Sequence, residues 1–105
     1  MSLHKLCFFV PERHLESVKT AVFAAGAGRY EKYDNCCWQT SGQGQFRALD
    51  GSDPFIGSQG KLETVQEFKV EMICEDQYLK AAIAALRSAH PYEEPAFESW
   101  PLNAS

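Results

Sequence analysis

The chain reads as an α+β protein: a ferredoxin-like two-layer sandwich of βαββαβ order, with an antiparallel sheet, an extra hairpin and two helices on one face. Two segments repeat their apolar residues at helical spacing, and one stretch between them alternates apolar and charged residues every second position. Short apolar or extended runs flank these, giving the order strand, helix, strand or hairpin, strand, helix, strand. The 105 residues, 45% hydrophobic and 23% charged, suit a single domain over 1–105 with one modest core. Such a chain buries roughly two-thirds of its unfolded surface and needs no disulfide or metal staple.

The first strand is Leu3 to Val10, a short run apolar enough to be buried on both faces. Pro11-Glu12 then opens a helix, where proline and acids are favoured. Leu15, Val18, Val22 and Phe23 make its inner face, and Gly26 and Gly28 end it. Alternating aromatic and polar residues from Tyr33 to Thr40 and from Gln45 to Leu49 flank Ser41-Gly42-Gln43-Gly44, which predicts a hairpin turning on those glycines. Residues 50–64 carry Asp50-Gly51, Asp53-Pro54, Gly57 and Gly60 and predict a long loop, a feature that is usually functional or mobile. Phe68, Val70 and Met72 against Glu67, Lys69 and Glu71 predict a half-buried strand. A second helix runs from Asp76, with Leu79, Ile83 and Leu86 on one face, and stops at His90 because Pro91 disfavours helix before it. Pro95 to Leu102 is the closing extended piece.

Charge narrows the partners. The net charge is −4, and the ten Lys and Arg are scattered along the chain, which excludes the basic stripe that nucleic acid requires. No apolar run approaches a membrane span, and Leu6–Val10 is too short for a secretory signal. Of the four cysteines, Cys7, Cys36, Cys37 and Cys74, three fall in apolar, strand-like stretches, and the adjacent Cys36-Cys37 pair lacks zinc-ligand spacing. Reduced thiols in a cytoplasmic protein are the expectation. On a strand, Cys36 and Cys37 would point to opposite faces, and no local base lowers either thiol.

His90-Pro91-Tyr92-Glu93-Glu94-Pro95 is the most unusual stretch. An imidazole beside carboxylates suits a metal or ligand site. The other reading is structural: His90 favours the helix dipole, two prolines stiffen the chain, and Tyr92 anchors in the core or an interface. If Glu93 and Glu94 are extended, their side chains diverge and do not share an ion. Gly42-Gln43-Gly44 and Gly57-Ser58-Gln59-Gly60 lack the strand-loop-helix setting of a phosphate loop, and no nucleophile elbow is present.

Taken together, Phe9-Val10-Pro11-Glu12, Ala25-Gly26-Ala27-Gly28, Gly42-Gln43-Gly44-Gln45-Phe46-Arg47, Asp53-Pro54-Phe55-Ile56-Gly57, Gly60-Lys61-Leu62-Glu63 and His90-Pro91-Tyr92-Glu93-Glu94-Pro95-Ala96 cover nearly the whole chain in order. In this the sequence resembles the YqfO-type domain, the CutA-like and PII-like module of the Nif-three-like family, in its free-standing version. Ala48 stands where that pattern usually has Pro, and Trp100 where it has Tyr. The resemblance implies a CutA-like fold and assembly as a homo-oligomer, with a trimer favoured. It also places the larger family's dinuclear metal site in flanking domains, so their hydrolase or cyclohydrolase label is not carried over.

The expected function is therefore a non-catalytic oligomeric module that binds a divalent metal ion or small molecule and has a regulatory or structural role, with a possible protein partner. His90 and Glu94 are the first candidate ligands, Cys36 a third, and Glu93 and Arg47 further ones. The alternatives are a metal-dependent hydrolase and a purely structural trimerisation or interaction domain.

Overall fold

In a computed structural model that describes residues 2–103, the elements are β1 (Leu3–Pro11), a 3-10 turn at Glu12–His14, α1 (Leu15–Ala24), β2 (Trp38–Arg47), β3 (Leu62–Glu75), α2 (Asp76–Ala89) and β4 (Phe97–Pro101). The four strands form one antiparallel sheet in the order β2-β3-β1-β4. Both helices cover one face, so the α+β, ferredoxin-like sandwich is the observed fold. No helix among the described residues is long and apolar enough to cross a membrane.

The strand alternation decides which side chains meet the helices. Leu6, Phe8 and Val10 of β1 and Val70, Met72 and Cys74 of β3 are buried on the helix side. They pack with Leu15, Val18 and Val22 of α1 and Ala82 and Leu86 of α2. Burying each of these larger side chains contributes about 1.5–3 kcal/mol. The chain leaves α1 through Ala25 and Gly26, whose φ of +114° favours glycine. A side chain there would also strike the ring of Tyr78 on α2. The second helix follows its expected bounds closely and stops before Pro91, but Asp76 is its first residue rather than its cap: Glu75 stands at the N-cap, with no side-chain cap bond.

The 41–44 hairpin is not formed. Gly42 and Gly44 lie inside the single strand β2, paired in register with Glu67 and Val65. Neither has the positive φ that the primed hairpin turn needs, in contrast to Gly51, Gly57 and Gly60 in the loop that follows. The real hairpin is β2–β3, closed by that loop. β3 is also much longer than its half-buried part, beginning at Leu62. Its first residues face solvent and are held by ladder bonds to β2 rather than by a core, so hydrophobic period gives no sign of them. Past the pairing of Pro11 with Glu67, the two strands continue without β1 as a two-stranded ribbon. The molecule is accordingly elongated, 46 × 24 × 23 Å.

Cys36 and Cys37 are not on a strand. They sit in the irregular connection before β2, where Cys36 N–H donates to the Gly28 carbonyl at 2.8 Å.

Candidate functional site

The chain beyond α2 builds one wall of a cleft. His90 ends the helix in extended backbone and is 6% exposed. Its Nδ1 accepts the Tyr92 backbone N–H at 3.1 Å. That occupies the Nδ1 lone pair, so Nε2 carries the proton and donates to the Phe9 carbonyl at 2.6 Å. Burial lowers the His90 pKa more than the Phe9 bond raises it, and nearby His14 lowers it further. The neutral ring is thus a pin between the 90–96 segment and the end of β1, and a Phe9 N–H to Ala96 carbonyl bond at 3.2 Å closes the same join.

Pinned in this way, Tyr92 lies against other rings. Its centroid is 4.9 Å from His90, 6.2 Å from Phe46 on β2 and 6.3 Å from Phe55 in the long loop. Phe55 in turn meets His14 edge-on at 5.5 Å. Between them opens a cleft of about 440 Å³, within the usual range for small-molecule sites. Phe9, Phe46, Phe55, Ile56 and Tyr92 give it apolar walls, and Glu67, Glu93, Glu94 and Arg47 bring charge.

Glu67 is the polar group that sequence reading missed. It lies on β3, and its carboxylate folds across β2 onto Gly44, where any Cβ would collide with it. Burial raises the pKa of this carboxyl. The Tyr92 hydroxyl is buried beside it without a well-formed hydrogen bond. Burial first, then the neighbouring Glu67 charge and the hydroxyl's interaction with that carboxylate, push the phenol up to about 12. A signal did exist: a glycine inside a strand often marks close approach by another group. Taking Gly44 for a turn residue hid it. A second hollow of about 320 Å³ continues along Gly42, Gly44 and Lys69, also bordered by Glu67.

The structure brings some of the expected site residues together and separates others. Glu93, Glu94 and Arg47 all line the cleft. Glu93 and Glu94 do not diverge as a strand would make them, because residues 91–94 bend. Glu93 takes the Asp53 N–H on both carboxylate oxygens, at 3.1 and 3.2 Å, which ties the long loop to the wall. His90 stands behind the wall with both nitrogens engaged by backbone. Cys36 is held against Gly28, which itself bonds Ile73 near the far end of β3. Among the described residues no three His, Cys, Asp or Glu side chains gather to hold a metal ion. Cys7 and Cys74 are buried, which raises both thiols.

No family model matches the chain. It is 46% identical over 100 residues to a Mycobacterium tuberculosis protein named GTP cyclohydrolase 1 type 2 homolog, across 95% of this chain and 26% of that one. The chain spans about a quarter of the length of the curated relatives it matches. Among solved structures it is similar to a Bacillus cereus protein related to NIF3, with a TM-score of 0.84, 35% identity and coverage of 98% of this chain and 26% of that one. It is also similar to CutA from Xylella fastidiosa, with a TM-score of 0.71, 20% identity and coverage of 100% and 88%. That last likeness is one of fold alone.

Proposed function

Because the chain belongs to the Nif-three-like family as a homologue of its YqfO-type, CutA-like domain, we propose that it is a non-catalytic, self-associating module that binds a small molecule in the cleft at the end of its sheet. The observation that carries this reading is the cleft itself: aromatic walls, a few convergent polar groups and a size suited to one small ligand. The groups that would have to do chemistry are otherwise occupied. His90 has no free lone pair with which to take a proton, and the buried thiols of Cys7 and Cys74 are shifted away from the reactive thiolate. The cyclohydrolase in the relatives' name is said of proteins of which this chain spans a quarter.

Self-association is supported by the surface. β2 is an edge strand ten residues long with no Pro or Lys to blunt it. Trp38 and Trp100 on the open face of the sheet are 61% and 41% exposed. A trimer is the assembly the family resemblance favours. Of the two ligand classes expected, a small molecule fits the apolar walls better than a divalent ion.

The test is a binding panel of cationic, anionic and neutral small molecules with divalent metal ions, read by thermal shift and by amide chemical shifts at Gly44, Phe46 and Tyr92. Some organic compounds should move those resonances in the wild type and not in Gly44→Val, whose side chain displaces Glu67. A flat response across the panel refutes ligand binding.

A further inference from the structure

The cleft carries a recognisable charge pattern. Its walls present the rings of Phe9, Phe46, Phe55 and Tyr92, and its acids are Glu67, Glu93 and Glu94 against a single lining base, Arg47. Arg47 is exposed and lies on the opposite pleat of β2 from Gly44 and Phe46, so solvent screens it from the interior. Glu93 is committed to the Asp53 N–H. Glu67 is different. It lies half-buried against Gly44 and Tyr92, and among the described residues no lysine, arginine or histidine forms an ion pair with it. Beside it, the Tyr92 hydroxyl is buried without a well-formed hydrogen bond, and the acceptor within its reach is the same Glu67 carboxylate.

A carboxylate removed from water without a counter-ion is costly, and aromatic faces carry negative potential. Both features are relieved by the same kind of guest. Resting on the reading that this cleft binds a small molecule, we propose that its ligand is an organic cation, a primary or methylated ammonium on a compact apolar body. Glu67 supplies the charge partner, and the Phe46, Phe55 and Tyr92 rings enclose the apolar surface around the nitrogen. Glu94, exposed at the rim, adds to the field that draws the cation in. A primary ammonium also has donors for the Tyr92 oxygen, whereas a methylated one relies on the rings and Glu67.

The experiment compares an isosteric pair, choline and its uncharged carbon analogue 3,3-dimethyl-1-butanol. Each is titrated into the full chain labelled with ¹⁵N, with the amides of Gly44, Phe46 and Tyr92 as reporters. Choline should bind at least about tenfold more tightly than the alcohol. Glu67→Gln should bring the two within about threefold by weakening choline while leaving the alcohol unchanged. Equal or tighter binding of the alcohol overturns the cation proposal and leaves the small-molecule cleft standing. So does a tenfold preference that persists in Glu67→Gln, because the charge partner is then misassigned. If neither probe moves the cleft resonances the cation proposal fails, and the broader panel decides separately whether the cleft binds anything.

Discussion

His90 shows how one residue can carry a distinctive motif for structural reasons. Its ring takes an N–H from Tyr92 and gives one to Phe9, so the bonds it makes fix the tautomer and hold the cleft wall in place. Removing it leaves the Phe9 carbonyl and the Tyr92 N–H short of partners, a cost of about 1–3 kcal/mol. The pH dependence follows from the direction of its shift. Burial lowers the folded pKa below the ordinary value of 6.5, so the unfolded chain binds the proton more readily. Its contribution to stability is complete above pH 6.5 and is lost as pH falls through the folded pKa. Denaturant titrations between pH 7.5 and pH 5 should show the wild type losing stability on acidification and His90→Gln losing less. Parallel curves for the two proteins would remove His90 from that role. The motif was legible in the sequence, as was the structural alternative. Which nitrogen meets which backbone group was not, since Phe9 is 81 residues away.

At the scale of elements, the helices were readable and the edge of the sheet was not. Apolar residues three and four apart place one stripe of α2 against the sheet whatever the rest of the chain does. Leu86 sits on that stripe and is fully buried. Leu86→Ala should cost about 2–5 kcal/mol, measured by urea unfolding, and a loss under 1 kcal/mol would mean that α2 is not packed as described. β2 is the opposite case. Its residues face solvent or the cleft over most of their length, so no apolar alternation reports it. The two glycines look like a turn because turns are where glycine is usually needed. Here Gly44 is needed for space, beneath the Glu67 carboxylate.

For the whole molecule, the open question is what meets the uncovered face and edges of the sheet. In the proposed assembly, further copies of the chain cover the exposed tryptophans and the unblunted edge strand. Sedimentation velocity at about 100 μM should give a species well above the 11.8 kDa of one chain. Trp38→Lys combined with Trp100→Glu should shift it toward monomer with an unchanged circular dichroism spectrum. A wild-type monomer at that concentration would defeat self-association. Cys7, in register with Glu71 and Glu98 on the neighbouring strands, is 1% exposed.

The amino-acid order by itself determined the class of fold, both helices, the buried strand β1 and the inner half of β3. Each rests on hydrophobic periodicity or on proline and glycine breaks, forces that act within a dozen residues, and neither helix has a side-chain cap. Of the five residues the amino-acid order singled out, Arg47, Glu93 and Glu94 line the cleft, His90 stands behind its wall and Cys36 lies against Gly28. Tertiary structure alone decided that β2 is one strand, that Cys36 sits apart from the motif and that Glu67 lies over Gly44 beside Tyr92. Those outcomes depend on register between distant strands and on the path of the chain after α2. Such contacts leave no local pattern, because the residues that meet are brought together only when the sheet closes.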